Sequence, residues 1–232
     1  MQTRRTALAA LAALPFAGAA PAHEGHGLRS VEVGGRRVEY LLRRAGPGPA
    51  PVLLGFGGGD ANRAIAEYFN AVYTPETLYR DHHVVVPVGS PGRYFHQYGD
   101  AEVRAFLSAL RAAEQIAGRG IVAGVSNGGR AAFRFAAAAP EAFRGIVTMP
   151  GALVGDAIPA AWRDYAVLLA VGTEDPRWKA ETDRAHAALQ GRVGALGRVA
   201  LGGQGHVVGP DYDIDPVYAR LRGLEGGVSE AR

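Results

Sequence analysis

A chain of 232 residues, 48% of them hydrophobic, can bury the core of one ordinary α/β domain. Its formal net charge of +3 is too small for a phosphate-tracking surface, and no basic run is interleaved with aromatics, so a nucleic-acid partner is not expected. The absence of cysteine excludes disulfides and thiolate metal sites and leaves the redox compartment open.

Residues 1–22 begin with Arg4 and Arg5, continue through an apolar stretch from Ala7 to Ala20, and end on Ala20-Pro21-Ala22, a small-residue cleavage site. This is the pattern of a signal peptide. The apolar stretch is short of the ~20 residues that a spanning helix needs and is mostly alanine, so no membrane anchor is expected after cleavage. Thr3-Arg4-Arg5 has the form of a twin-arginine start, but Ala7 stands where a large apolar residue is usual. Twin-arginine and general secretory export, to the periplasm or the medium, therefore both stay open. Removing Arg4 and Arg5 takes the charge from +3 to +1. Cleavage would leave His23-Glu24-Gly25-His26 at the new end, where an amine and two imidazoles could grip copper. Two histidines on a flexible arm form no preorganised site, so a polar tail without metal is expected.

Residues 23–232 read as a single domain with no internal repeat. Val31 to Val33 and Arg37 to Leu42 flank Gly34-Gly35, a two-residue hairpin signal, and should form one antiparallel edge of a sheet. The proline- and glycine-rich residues 45–51 form a surface connection, since what precedes them is too short to fold alone. Val52 to Phe56 reads as a buried strand leading into Gly57-Gly58-Gly59-Asp60. Residues 61–70 show helical spacing, and His83 to Pro87 is the next buried strand. Loops after the C-terminal ends of parallel strands border the cleft in open α/β sheets. Tyr94, Phe95 and Tyr98, on the loop after that strand, together with Phe56 are therefore candidate substrate contacts, with plain loop packing as the competing reading. Residues 101–115 form an amphipathic helix through Val103, Phe106, Leu107 and Leu110.

The run Gly120 to Gly129 is an apolar strand that ends in a serine fenced by glycines and becomes an alanine-rich helix. A strand turning sharply at Ser126 would project its Oγ above the sheet and aim the next helix's N–H groups at the same spot, which is a nucleophile elbow. The bland alternative is a Ser-Gly turn capping a helix. Further on, Gly145 to Met149 and Tyr165 to Val171 read as strands. The segment between them, residues 150–164, is too short for a lid domain, so the site should be open to bulky substrates. Asp175 follows the second of these strands and is the acid candidate, with Glu174 as its rival and Asp156 as the next choice. Residues 183–189 belong to a helix that puts His186 at the surface. Residues 198–201 form a last short strand, and His206 on the loop behind it is the base candidate. The tail carries a helix around Val217 to Leu221 and is expected to fray through Gly226 and Gly227.

The order of nucleophile, acid and base is that of the α/β-hydrolase fold. Across residues 38–206 the chain resembles small secreted α/β-hydrolases of the carboxylesterase kind, nearest to feruloyl esterases and polyhydroxyalkanoate depolymerases, whose elbows often read G-x-S-N-G-G as residues 124–129 do. The resemblance implies a mostly parallel central sheet with helices on both faces. It also implies a Ser126-His206-Asp175 triad acting through an acyl-enzyme, and an oxyanion hole from the N–H groups of Asn127 and of Gly57 or Gly58. The chain departs from the pattern in carrying Phe56 where His-Gly-Gly-Gly motifs have histidine, and in lacking the disulfides of several relatives. An accessible, aromatic or polymeric ester is the expected substrate, with no cofactor and no metal. A serine peptidase of the same fold is the alternative, although such enzymes often carry a gating domain. A non-catalytic binding protein is the third reading.

Overall fold

The computed structural model describes residues 26–77, 79–155 and 157–230. The expected signal peptide, His23 and Asp156 lie outside the described residues, as does the side chain of His26. Eight strands form one sheet: β1 (His26–Val33), β2 (Arg36–Arg43), β3 (Val52–Phe56), β4 (His83–Pro87), β5 (Gly120–Gly124), β6 (Phe143–Thr148), β7 (Ala166–Gly172) and β8 (Ala195–Leu201). Their spatial order is β1-β2-β4-β3-β5-β6-β7-β8. The β1–β2 hairpin turns at Gly34 and Gly35, both with positive φ, and β2 runs antiparallel to β4. Every other pairing is parallel. The hairpin therefore stands at one edge of an otherwise parallel sheet.

Helices cover both faces: α1 (Arg63–Val72), α2 (Asp100–Glu114), α3 (Asn127–Ala138), α4 (Pro176–Leu189) and α5 (Asp215–Glu230). The two-residue period of a strand sorts the core into two layers. Leu54, Val122, Ile146, Val167 and Leu169 point to the side where Phe106 of α2, Phe135 of α3 and Leu189 of α4 pack. Leu53, Ile121, Val147, Leu168 and Ala170 point to the other, under Phe69 of α1 and Tyr218 of α5. Strands β3, β4, β5 and β7 are buried on both faces, which is why they read in the sequence as continuous apolar runs.

Strands β1 and β6 and helix α4 begin earlier than expected, and three other boundaries differ for reasons the contacts show. Helix α1 starts later, at Arg63, because Ala61 adopts φ +53 and the Asn62 side chain caps the helix by accepting from Ile65 N. Strand β8 extends back to Ala195, carried by a full register against β7. Helix α5 does not fray at Gly226 and Gly227 but runs to Glu230. Its second half is held from outside: Leu224 packs on the core, and Glu225 accepts from Arg144 Nε at 2.8 Å and from Tyr79 Oη at 2.9 Å. Tertiary contacts of this kind outweigh the ~1 kcal/mol that each glycine costs in a helix.

Between β6 and β7 the chain makes a short 3-10 turn, Ala160–Asp164, whose Trp162 is buried in the core. No helix among the described residues is long and apolar enough to cross a membrane.

Candidate active site

Parallel strands β3, β5 and β7 bring the glycine loop, the elbow and the Asp175 turn to one end of the sheet. At the elbow Ser126 has φ 60° and ψ −119°, a conformation that non-glycine residues avoid. Packing enforces it. Ser126 N donates to Pro150 O at 2.7 Å, Gly128 N donates to Val125 O at 2.8 Å, and Arg130 N donates to Ser126 O at 3.2 Å. The glycines around the serine are steric requirements: a Cβ on Gly124 would strike the Gly128 backbone, and one on Gly128 would strike the carbonyls of Phe56 and Gly57. Strand β5 and helix α3 can approach this closely only without those side chains.

Asp175 and His206 arrive from separate loops. Asp175 caps α4, its Oδ1 accepting from Trp178 N at 3.2 Å, while its Oδ2 accepts from His206 Nδ1 at 2.8 Å. With that proton on Nδ1, the free Nε2 accepts from Ser126 Oγ at 3.1 Å. The Asp175 side chain is 8% exposed and that of His206 38%, so the acid is sealed and the imidazole is open to a ligand. Glu174 is exposed, and the carboxylate that His206 Nδ1 meets is that of Asp175; the Glu174 backbone N donates to Gln204 O at 2.9 Å, which ties the two loops together. The His206 loop is pinned further by Gly203 N donating to Thr173 Oγ1 at 2.9 Å, Val208 N to Tyr73 Oη at 2.8 Å and Tyr68 Oη to Val208 O at 2.6 Å.

The glycine loop lies against the elbow. Asn127 Nδ2 donates to Gly59 O at 3.2 Å, and a Cβ on Gly58 would come within 3.3 Å of Ser126 Cβ. Gly58 is thus beside the serine, whereas Gly57 faces Ile65 of α1. Asn127 is the first residue of α3, where helical N–H groups have no intrahelical partner.

Of the four candidate substrate contacts, Phe56, Phe95 and Tyr98 follow the competing reading of plain packing. All three are buried, at 0%, 4% and 7% exposure, and their rings cluster with Phe135 beneath the loop. Burying such a ring is worth about 1.5–3 kcal/mol, so an aromatic-rich loop next to a core turns its rings inward. Tyr94 is different. It is half-buried and, with an edge of Phe95, borders a small recess beside Gly57, Gly59, Asp60 and Asn127.

Two residues not singled out from the sequence stand at the site. Trp178, 7% exposed, stacks on His206 with ring centroids 5.4 Å apart and planes 19° apart. Its position three residues after the acid, in the first turn of α4, was the available signal. His96 stacks on Tyr94 at 5.4 Å and hydrogen-bonds the Asn127 backbone. Burial holds its imidazole below the ordinary histidine value, and the nearby Arg130 charge pushes the same way. Among the described residues, no group of three or more His, Asp or Glu side chains converges as a metal ion would require.

This architecture is the α/β-hydrolase fold, and solved structures agree. A CIB-like hydrolase from Thermoplasma acidophilum superposes with a TM-score of 0.61 at 17% identity, covering 87% of this chain and 100% of that one. Epoxide hydrolase A from Mycobacterium thermoresistibile gives 0.62 at 13% identity, over 87% and 98%. A ferulic acid esterase gives 0.61 at 14% identity, over 88% and 98%. No protein-family model matches the chain, and no curated protein matches it in sequence. At such identities the likeness speaks for the fold, which hosts several chemistries, and the reaction has to be argued from the site.

Proposed function

We propose that the protein is a serine hydrolase of carboxylic esters, with Ser126 as nucleophile, His206 as general base and acid, and Asp175 as the orienting acid. The observation that carries this reading is the continuous hydrogen-bonded chain from Ser126 Oγ through His206 to Asp175, mounted on an elbow with positive φ. A serine hydroxyl is a poor nucleophile until a base removes its proton during attack, and an imidazole can take that proton and return it. Ser126 Oγ attacks the ester carbonyl as His206 Nε2 accepts its proton. The N–H of Asn127 and one from Gly57 or Gly58 hold the oxyanion, each such donor contributing roughly 3 kcal/mol. His206 then protonates the departing alcohol, leaving an acyl-serine. Water repeats the sequence and releases the acid. Asp175 keeps the proton on Nδ1 and stabilises the imidazolium.

The connection between β6 and β7, only residues 149–165, is too short for a lid domain and favours accessible esters, including bulky or polymeric ones, over small molecules sealed in a cavity. We further propose export, with residues 1–22 removed and the mature chain beginning at or near His23. A panel of p-nitrophenyl esters, feruloyl esters and short polyesters, assayed with wild type and Ser126→Ala, tests the reaction. Activity that survives the substitution refutes it. Mass spectrometry of the exported protein tests the leader, and a mass that includes Met1 refutes cleavage.

A further inference from the structure

Arg130 stands on α3 one helical turn beyond Ser126, to whose carbonyl its backbone N–H is bonded. Its guanidinium carbon lies 5.4 Å from the centroid of the Trp178 ring, the same ring that stacks on His206. Its charge also acts on His96, whose ring bonds to the Asn127 backbone and whose Nδ1 is buried without a hydrogen-bond partner. The cation therefore lies one ring away from the base and close to the first turn of α3, where the ester carbonyl would sit.

A half-buried arginine ordinarily finds a carboxylate. Among the described residues Arg130 makes no salt bridge, because the acids around it are engaged elsewhere. Glu181, which feels the Arg130 charge, pairs with Arg184 at 2.6 Å. Asp175, the N-cap of the helix whose first turn carries Trp178, is taken by His206 and Trp178 N. The neighbouring Arg134 on the same helix, by contrast, has Asp100. An arginine held over an aromatic ring keeps in-plane N–H groups for a planar, bidentate anion.

We propose that Arg130 is a specificity-determining residue that selects esters carrying a carboxylate, on the acyl or the alcohol side, by pairing with that carboxylate when the ester bond lies over Ser126. This rests on the ester-hydrolase reading. The carboxylate replaces the missing internal acid, and its pairing fixes the ester in register with the nucleophile.

The test compares two pairs of esters matched in shape. In the first, mono-p-nitrophenyl glutarate is set against p-nitrophenyl valerate, and in the second, para-carboxyphenyl butyrate against phenyl butyrate. The ratio of kcat/KM within each pair is measured for wild type, Arg130→Gln and Arg130→Lys. Wild type prefers the anionic member of at least one pair, and Arg130→Gln lowers that preference about 10- to 100-fold, the range for a charge-assisted hydrogen-bond pair. Arg130→Lys restores part of it, since a lysine supplies the charge without the fork. Ratios unchanged by Arg130→Gln in both pairs overturn the proposal. Calorimetric titration with the released acids, glutarate and para-hydroxybenzoate, separates this proposal from the reading beneath it. Binding to wild type that Arg130→Gln abolishes, in a protein that cleaves none of the esters, keeps the anion site and refutes ester hydrolysis alone. No binding of either acid to wild type overturns the anion site.

Discussion

Replacing Asp175 by asparagine isolates the role of the acid with little change of shape. In the native protein Oδ1 accepts from Trp178 N and Oδ2 from His206 Nδ1. The amide oxygen of asparagine can keep the helix cap, since asparagine caps as well as aspartate. That places its NH2 group against Nδ1, where it donates. Nδ1 must then accept, the imidazole proton moves to Nε2, and Nε2 faces Ser126 Oγ as a donor instead of an acceptor. The base is present but in the wrong tautomer. The expected loss in kcat is about 10⁴, equivalent to about 5.4 kcal/mol of barrier. Glu174→Gln, at an exposed site whose carboxylate is not the one bonded to the imidazole, should change kcat by less than about tenfold, or ~1.4 kcal/mol. Steady-state kinetics on one soluble p-nitrophenyl ester, with circular dichroism to confirm an unchanged fold, checks both variants. A large loss for Glu174→Gln beside a small one for Asp175→Asn refutes the assignment. Small losses for both refute it too, and direct attention to Asp156.

At the elbow, the positive φ of Ser126 stores backbone strain of about 1–3 kcal/mol, which Ser126→Ala retains and Ser126→Gly relieves. Both variants should be inactive, with the glycine variant more stable than the alanine variant by about 1 kcal/mol in urea titration; equal or reversed stability refutes the strain. The third prediction concerns pH. Burial lowers the folded-state pKa of His82 below its ordinary value of 6.5, despite the opposing Asp81. The unfolded chain therefore binds a proton near pH 6.5 that the folded chain refuses, so the stabilisation is complete above pH 6.5 and is lost as the pH falls below it. His83 and His96 shift in the same direction. Melting temperature measured from pH 8 down to pH 5, a window bracketing the ordinary histidine pKa of about 6.5, should fall on the acid side, and less steeply in His82→Gln. Identical slopes for the two proteins refute the role of His82.

The strands were legible because the parallel centre of the sheet is buried on both faces, which leaves Val52 to Phe56 and Ala166 to Gly172 as unbroken apolar runs. The elbow was legible for a different reason. Strand and helix meet so closely at Ser126 that glycine is the residue tolerated at positions 124 and 128, and this requirement is local. The inward turn of Phe56, Phe95 and Tyr98 was not legible. A loop aromatic looks the same in sequence whether it faces a cleft or a core, and the choice is made by Phe135, which arrives from α3. Nor does helical propensity foresee that Arg144 and Tyr79 hold α5 together past two glycines.

The sequence by itself determined the alternation of strands and helices, the strained serine turn, and the order in which Ser126, Asp175 and His206 follow one another. These depend on periodicity, glycine sterics and loop position, all of which act between near neighbours. Only the tertiary structure decided that Asp175 rather than Glu174 meets the imidazole, that Trp178 stacks on it, and that Arg130 and His96 flank the same centre. Those pairings join residues brought together by β3, β5, β7 and the loops behind them. A side chain's direction across such a distance is set by packing around it, which no local pattern records.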